Sequence, residues 1–290
     1  MTAKRLSSAP LFPLLVLGFA SCAAVREPVR RAHPHPEALT AGIAPASAAA
    51  AAPAISVPVA RFSQPEPAPR VIRSNIAGIS VTGVAFDSRS YRLAVIDQAG
   101  GPGSRFADAA SAAAFTGGLA AINGGFFTPA GAPLGLVVAA GKSAGAWNSA
   151  SSLGTAVWHE NRGGMSAITR RNTLGRTAAA SMREALQTGP LLVENGKAVA
   201  GLDDEKTSAR SLVLWDGASR WMIARTSPCS LADLAQALSD ATNLPAYTVL
   251  NLDGGRSADL WVSAKINGGP IAQRPFYNKP VRNFLVLQRR

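Results

Sequence analysis

The chain has 290 residues, of which 47% are hydrophobic and only 6% are aromatic, and its formal net charge is +12. This composition excludes a fibrous or fully disordered chain and allows one sizeable domain with a core built mainly from Ala, Val, Leu and Ile. The basic balance favours anionic partners, but the basic residues are scattered and do not cluster with aromatic residues, so no nucleic-acid partner is expected.

Residues 1–21 have the pattern of a secretion signal. Lys4 and Arg5 precede an apolar run that is shorter than the roughly 20 residues needed to span a bilayer. The run ends in small residues before Cys22, and this junction resembles the lipobox at which bacterial lipoproteins are cut and acylated. We therefore predict an exported protein on the periplasmic face of a bacterial membrane, anchored through lipidation of Cys22. The alternative is an ordinary signal peptide with an incidental cysteine.

Residues 22–70 are rich in Ala and Pro and show no sustained apolar period. This pattern predicts a semi-extended, disordered tether between the membrane and a folded domain. Prolines on either side of a run of five alanines oppose the alternative that the run forms a helix. Acylation of Cys22 would leave Cys229 without a disulfide partner, and Cys229 itself is interpreted as a small, partly buried apolar residue.

Residues 71–290 consist of short β-rich runs separated by Gly, Asn and Asp. The first runs cover 79–86, 91–96, 119–122, 134–139 and 155–159. Strands with few helices and no regular β-α-β alternation predict a single α+β domain with mixed or antiparallel β-sheets and a few flanking helices.

Two hairpins and three helices follow from local signals. Asn195-Gly196 lies between two apolar runs, and Asp216-Gly217 follows another, so both turns are expected to join antiparallel strands. A helix is expected to begin at Ser230 with Asp233 completing a capping box. We also predict helices at 106–115 and 181–186.

Four glycine-containing segments place polar groups at the ends of apolar runs, where loops present functional side chains. They cover 122–127, 187–192, 208–211 and 250–257. Each alone is an ordinary turn, because Gly accepts positive φ and Asn or Asp bonds its own backbone. In this order, and with the strand at 133–138 and the closing segment 279–283, they resemble the phosphodiester glycosidase family over roughly residues 80–287. The resemblance implies an α+β domain of curved mixed sheets that hydrolyses a sugar-1-phosphodiester.

Within that resemblance, three residues are expected to be catalytic. Asp253 matches a carboxylate that stabilises or attacks the anomeric carbon, or activates water there. Arg210 matches a guanidinium that grips the phosphate by two prongs, and Asn123 offers an amide to sugar hydroxyls or phosphate.

The same resemblance implies substrate-binding residues around these three. Backbone N–H groups at Gly254 and Gly255 are expected to face phosphate oxygens, and Ser257 to donate one further bond. Arg256 occupies a position where relatives commonly have a small residue or proline, so it either adds a phosphate contact or obstructs catalysis. The full set expected to bind substrate is Gly124, Gly125, Gly189, Gly254, Gly255, Arg256, Ser257 and Asn283.

The sequence allows a metal cofactor and two classes of function. A carboxylate, an amide and phosphate oxygens suit calcium or magnesium, but the sequence shows no metal site. Asp203-Asp204-Glu205 is expected to be a solvated surface run, and His159 to be structural. The leading hypothesis is an exported hydrolase of glycosyl phosphodiesters in envelope glycans or their precursors. The alternative is a non-catalytic lipoprotein that binds a glycan or sugar phosphate on the same fold.

Overall fold

The computed structural model describes residues 68–290, which form seventeen strands, four α-helices and two 3-10 turns. The strands are β1 Arg70–Ile76, β2 Ile79–Asp87, β3 Tyr91–Asp97, β4 Ala120–Asn123, β5 Val137–Ala139, β6 Lys142–Ala144, β7 Ala156–Glu160, β8 Ser166–Arg170, β9 Glu184–Thr188, β10 Leu191–Glu194, β11 Lys197–Ala198, β12 Ser211–Trp215, β13 Arg220–Thr226, β14 Thr248–Asn251, β15 Leu260–Val262, β16 Ile271–Gln273 and β17 Asn283–Arg289. The helices are α1 Ala109–Thr116, α2 Arg171–Leu174, α3 Arg176–Ala180 and α4 Leu231–Ser239, and the 3-10 turns are Ser152–Gly154 and Gly255–Ser257.

The predicted signal peptide, the lipidation of Cys22 and nearly all of the tether lie outside the described residues. At the other end of the tether, the first strand begins at Arg70, one residue before the predicted domain boundary. None of the helices within residues 68–290 is long and apolar enough to cross a membrane.

The strands form three sheets. The first has seven strands in the order β1-β2-β13-β12-β14-β10-β11, the second has the order β16-β15-β4-β17-β3, and the third has the order β6-β5-β9-β7-β8. Every pairing between these strands is antiparallel. The α+β class and single domain are therefore confirmed. The prediction allowed mixed or antiparallel sheets, and the sheets are antiparallel.

Both predicted hairpins are confirmed. Asn195 and Gly196 join β10 to β11, and both have positive φ, 51° and 73°. Two successive left-handed residues match the right-handed twist of the flanking strands. The second hairpin joins β12 to β13 in register from Ser211 opposite Arg225 to Trp215 opposite Trp221.

The helix predictions are partly right. Ser230 caps α4 by accepting a hydrogen bond from the Asp233 backbone N–H at 3.0 Å, as the capping pattern predicted. The predicted helix 106–115 overlaps α1, which begins one residue after its cap, Asp108, and ends at Thr116. The prediction of a helix at 181–186 is wrong, because β9 begins at Glu184 and pairs with β5 and β7 in the third sheet. Pairing on both sides overrides the local helix preference.

The main core lies among the inner faces of the three sheets. Val213 of the first sheet, Ile122 and Leu285 of the second, and Trp158 and Leu186 of the third belong to one buried apolar cluster. Helix α4 covers the outer face of the first sheet, and α1 covers the second. This packing holds the ends of β4, β12 and β14 rigidly against one another, and the candidate site lies there.

Candidate active site

Asn123, the last residue of β4, joins the first and second sheets through its side-chain amide. Its Nδ2 donates to the backbone carbonyl of Asp253 at 2.6 Å. Its Oδ1 accepts from the Ser211 hydroxyl at 2.6 Å and from the Asp259 backbone N–H at 3.1 Å. Asn123 has no solvent exposure. The amide therefore fixes the relative positions of β4, β12 and the turn after β14.

This arrangement differs from the expectation that Asn123 presents its amide to a substrate. Both ends of the amide are engaged inside the protein, so Asn123 is a positioning residue. Ser211 and Asp259, its partners, were missed by the sequence reasoning. Ser211 follows Arg210 directly, and the alternation of side chains along a strand was the signal that could have distinguished the two.

Asp253 lies in the turn after β14, with its backbone N–H donating to the Gly124 carbonyl at 3.0 Å. Its Oδ1 accepts from the Gly254 backbone N–H at 2.9 Å. Burial raises the pKa of the Asp253 carboxyl from its ordinary 3.8, while the Ser257 hydroxyl, the Gly254 N–H and the charge of Lys279 act in the opposite direction. The result is a partly buried carboxylate on which the charge of Lys279 acts.

The glycines of the site allow close packing of backbone segments. A Cβ on Gly254 would lie 2.7 Å from the Ala209 carbonyl oxygen, and one on Gly124 would collide with Asn283 Oδ1. Gly255 has φ +59° and donates its N–H to the Ala209 carbonyl at 2.7 Å. The expectation that Gly254 and Gly255 turn their N–H groups toward a phosphate is therefore not met, because both groups are engaged within the protein.

Gly125, Asn283 and Gly189 also act within the framework of the site. Asn283 is buried, and its Oδ1 accepts from the Gly125 N–H at 2.8 Å. Its Nδ2 is buried without a hydrogen-bond partner among residues 68–290. Gly189 accepts from Asn251 Nδ2 at 3.0 Å, and a Cβ there would lie 2.7 Å from Thr155 Oγ1. These three residues support the turns that carry Asp253 without showing an open contact surface.

Arg210 precedes β12, and its side chain points away from the Asn123 amide. Nε and Nη2 donate to the Cys229 carbonyl, each at 3.1 Å, and Nη2 also donates to the Lys206 carbonyl at 2.6 Å. Because neighbouring strand residues face opposite sides, Ser211 meets Asn123 and Arg210 meets the segment before α4. The two-pronged grip predicted for a phosphate is made instead on the protein's own backbone.

Lys279 is the cation whose charge acts on Asp253, and the sequence reasoning gave it no role beyond its place in the closing segment. Its charge lowers the pKa of Asp253, and its Nζ lies 4.7 Å from the centroid of the Phe127 ring. Its backbone N–H donates to the Arg256 carbonyl at 2.9 Å. Arg256 itself is exposed, and the next residue, Ser257, is buried. The charge of Lys279 therefore acts on the carboxylate, and Arg256 is an exposed cation three residues after Asp253.

The comparisons with known proteins agree with this arrangement. A family model described as phosphodiester glycosidase matches residues 116–288. This chain belongs to the phosphodiester glycosidase family. The match includes β4, β12, β14 and Lys279, so the resemblance drawn from the sequence motifs is confirmed.

Two solved structures share the fold of this phosphodiester glycosidase domain. One is the zebrafish N-acetylglucosamine-1-phosphodiester alpha-N-acetylglucosaminidase catalytic domain auto-inhibited by its pro-peptide, with 17% identity, a TM-score of 0.53, and coverage of 77% of this chain and 82% of that chain. The other is a hypothetical protein from Synechocystis, with 17% identity, a TM-score of 0.53, and coverage of 76% and 61% of the two chains. No curated protein matches the chain.

Three other titratable groups of the phosphodiester glycosidase domain, on Cys229, His159 and Asp203, have contacts within the protein. Cys229 is a free, buried thiol whose pKa is raised by burial, and it packs in the cluster beneath α4. His159 contacts Thr169 Oγ1 at 3.0 Å, and burial lowers the pKa of the imidazole. Asp203 is exposed and accepts from the backbone N–H groups of Glu205 and Lys206. These surroundings agree with the structural roles expected for Cys229 and His159.

The residues around Asp253 do not by themselves form a metal site. Asn123 Oδ1, the amide oxygen proposed as a ligand, already accepts two hydrogen bonds. Residues 68–290 contain no group of three or more His, Cys, Asp or Glu side chains placed to hold a metal ion. Calcium or magnesium would depend on Asp253 and on oxygens of the substrate.

Two clefts differ in their relation to the site. One of about 470 Å³ is lined by Arg256, Pro275, Phe276 and Tyr277, beside the turn that carries Asp253. Another of about 410 Å³ lies along β1, β2 and β13, and its arginines include Arg89 and Arg220, which pair with Asp87 and Asp216. The first cleft is the one that contains Arg256, three residues after Asp253.

Proposed function

We propose that this phosphodiester glycosidase hydrolyses the bond between the anomeric carbon of a sugar and a phosphate that carries a second ester. The observation that carries the proposal is the Asp253 carboxylate, which is partly buried in the turn after β14, is influenced by the charge of Lys279, and lies in a turn that Asn123 fixes. A carboxylate next to a cation suits a reaction centre in which positive charge develops on a sugar carbon and negative charge leaves with a phosphate.

In the proposed reaction, Asp253 acts on the sugar side. The bond between C1 and the bridging phosphate oxygen breaks, and its electron pair leaves with the phosphate as a phosphomonoester. A water oxygen forms the new bond to C1, and Asp253 takes a proton from that water. Phosphate is a good leaving group, so the reaction does not need a strong general acid.

Lys279 and Arg256 are proposed to act on the phosphate side. Both are exposed cations, and the carbonyl of Arg256 accepts a hydrogen bond from the backbone N–H of Lys279, which joins their two segments. Arg210 contributes at most a one-point contact through Nη1, because Nε and Nη2 are bonded to carbonyl groups. In the proposed reaction, the positive charges of Lys279 and Arg256 stabilise the developing phosphomonoester.

The chemistry is tested by hydrolysis in ¹⁸O-labelled water. N-acetylglucosamine 1-phosphodiesters are the first substrates to try, because the zebrafish relative is named for that linkage. We expect the label in the hemiacetal hydroxyl of the released sugar, detected by mass spectrometry. Label in the phosphate would mean P–O cleavage and would replace a glycosidase by a phosphodiesterase. Parallel reactions with chelator, calcium or magnesium show whether turnover needs a metal.

We further propose that the enzyme works in the bacterial cell envelope on phosphate-bearing glycans or their precursors. The basic composition and the signal-like start of the chain support this location. Membrane fractionation of the chain and of Cys22→Ala tests the anchor. Release of the variant into the soluble fraction is expected, and unchanged membrane association would contradict lipidation.

A non-catalytic glycan-binding protein is the second candidate. It is favoured by the engagement of the Gly254 and Gly255 N–H groups within the protein, which leaves fewer donors for a transition state. Tight binding of a sugar-1-phosphodiester without any release of phosphomonoester, with or without metal, would establish this alternative.

A further inference from the structure

The turn between β7 and β8 presents a large apolar side chain to solvent. Met165, the last residue before β8, is 72% exposed. Asn161 closes the turn, because its Oδ1 accepts from the Met165 N–H at 3.0 Å and its own backbone N–H donates to the Met165 carbonyl at 2.9 Å. The apolar side chain is therefore carried outside the core by a turn that hydrogen bonds hold in shape.

Four cations come together beside this turn. We call this set the basic edge, and its members are Lys142, Arg162, Arg183 and Arg290. Arg290 Nη2 donates to the Gly164 carbonyl within the turn at 2.7 Å. A Cβ on Gly141, the residue before Lys142, would lie 3.9 Å from Arg162 Nη2. The Gly141 N–H donates to the Arg183 carbonyl at 2.7 Å. These contacts join the segments that carry the four charges.

The basic edge carries more positive charge than its ion-pair partners neutralise. Arg183 and Arg290 share Glu160, whose Oε1 lies 3.6 Å from Arg183 Nη1 and whose Oε2 accepts from Arg290 Nη2 at 2.8 Å. Glu160 is buried, whereas Lys142 and Arg162 are exposed. Neither Lys142 nor Arg162 forms an ion pair within residues 68–290. Four cations therefore share one carboxylate.

Exposed carboxylates lie on a different part of the domain. Within residues 68–290 they belong to the loop before Lys206 and to α4 with its C-cap, at Asp203, Asp204, Glu205, Asp233 and Asp240. The Asp203 carbonyl accepts from the Leu231 N–H at 3.0 Å, so this loop is bonded to the start of α4. Exposed negative charge is thus gathered at the helix on the outer face of the first sheet, while the basic edge belongs to the third sheet. An uneven distribution of this kind orients a domain on a charged surface.

We propose that the basic edge and Met165 form a docking surface for the anionic phospholipid headgroups of a bacterial membrane. This inference rests on the proposed location of the chain in the cell envelope. Lys and Arg side chains are attracted to a negatively charged leaflet, and the attraction falls off within about 10 Å, so grouped cations act together. An exposed apolar side chain among them enters the boundary between headgroups and acyl chains. A lipid surface uses both features, whereas a soluble polyanion would use the charges alone.

Docking in this way leaves the candidate site away from the lipid. Glu160 lies opposite Glu184 at one end of the paired strands β7 and β9, and Thr188 lies at the other end of β9. The Thr188 hydroxyl donates to the carbonyl of Asn251, the last residue of β14, at 3.2 Å. At about 3.3 Å per residue, β9 extends about 13 Å between these ends. The turn that carries Asp253 is therefore at the end of β9 remote from the basic edge.

A fluorescent label at position 165 tests the docking surface. The protein is the full chain with Cys22→Ala, and Met165→Cys or Gln236→Cys carries the same environment-sensitive dye, since Gln236 is exposed on α4. Both chains keep the same N-terminal residues, so a difference between the labels reports which face meets the lipid. Labelling the Cys22→Ala chain without a new cysteine measures any dye at Cys229.

On phosphatidylglycerol vesicles, quenching of the label at position 165 by acrylamide should fall about fivefold, with a blue shift of its emission. Acrylamide is neutral, so the surface charge of the vesicles does not alter the reading. Quenching at position 236 should stay within about twofold of its value without lipid. Phosphatidylcholine vesicles, which carry no net charge, should protect neither label. Equal protection of the two labels, or protection on phosphatidylcholine, would overturn the proposal.

Removing two charges from the basic edge should detach it from the lipid. Lys142→Gln combined with Arg162→Gln should return quenching at position 165 to within about twofold of its value without lipid. The matched control is Lys197→Gln combined with Lys265→Gln, two exposed lysines in other parts of the domain, and it should keep the protection. An unchanged label in the first double variant would contradict the role of the basic edge.

A soluble anionic polymer is the competing partner. Dextran sulfate without lipid should leave the label at position 165 open to acrylamide, and protection equal to that on phosphatidylglycerol would replace lipid by a polymer. If the chain sediments with the vesicles while both labels stay open, the envelope location stands and the docking surface is wrong. Turnover is measured without vesicles and tests the reaction separately. Because the contact is electrostatic, fractionation of Cys22→Ala at high salt tests the lipid anchor alone.

Discussion

Asn123 Nδ2 donates to the backbone carbonyl of Asp253 at 2.6 Å, so the end of β4 in one sheet fixes the turn that follows β14 in another. The bond acts on the backbone of Asp253 and leaves the carboxylate to its own partners. The position of the Asp253 backbone is therefore set by a residue whose amide is engaged within the protein.

Replacing Asn123 by Ala should both destabilise the fold and reduce activity. The change would leave the Asp253 carbonyl, the Ser211 hydroxyl and the Asp259 N–H without their buried partner. Unsatisfied buried groups cost about 1–3 kcal/mol each, so a decrease of at least that size is expected in the free energy of unfolding measured with urea. Asn243→Ala is the control, because Asn243 is exposed and bonds only Ser74. Equal stability of both variants would contradict the positioning role.

Asp253→Asn should abolish turnover and raise the stability of the protein at neutral pH. Burial raises the pKa of this carboxyl, so the folded state favours the protonated form and holds the charged form at a cost. Asn keeps an acceptor for the Gly254 N–H and removes the charge. The gain in the free energy of unfolding should be largest above the raised pKa and should disappear below the ordinary 3.8, where the carboxyl is protonated in both states.

Thermal unfolding from acid to neutral pH measures this difference between the parent and Asp253→Asn. Asp204→Asn is the matched control, since Asp204 is exposed in the loop before Lys206. Its stability should follow that of the parent. A loss of stability in Asp253→Asn at neutral pH, or full turnover, would sink the role assigned to this carboxylate.

Lys279→Ala should move the acid limb of kcat/KM to higher pH. The proposed reaction needs Asp253 deprotonated, and activity is therefore lost as pH falls through its pKa. The charge of Lys279 lowers that pKa, and removing it leaves burial with less opposition. A pH profile of the variant should show a higher apparent pKa, together with a higher KM from the weaker phosphate contact. Lys265→Ala, an exposed lysine elsewhere, should keep the parent profile.

Arg210→Lys should lower the free energy of unfolding. Arg210 is only 8% exposed, and its guanidinium donates to the carbonyl groups of Cys229 and Lys206. An ammonium cannot make the forked contact, and hydrogen bonds from charged groups contribute about 1.5–3 kcal/mol each. Urea unfolding should show a loss of this order, with little change for Arg176→Lys on the exposed surface. A large loss of kcat at unchanged stability would instead restore the phosphate-binding role.

Local features of this protein follow from its sequence. The Asn195-Gly196 hairpin, the capped start of α4 and the strand-rich α+β class depend on backbone preferences within a few residues, and these act in the same way in any surroundings. The ordered motifs also identified the family and pointed to Asp253. For the candidate site, the sequence predicted which segments carry it.

The tertiary structure decided which side chains in those segments point inward and what they meet. Side-chain alternation places Arg210 and Ser211 on opposite faces of the sheet, but the sequence does not show which face carries the Asn123 amide. The charge of Lys279 acts on Asp253 because the loop after β16 returns to the turn after β14, where Lys279 donates its backbone N–H to the Arg256 carbonyl. Residues 184–186 of the predicted helix likewise became part of a strand, β9, through pairing with β5 and β7. Each of these outcomes depends on contacts between residues far apart in the chain, which local preference and periodicity do not encode.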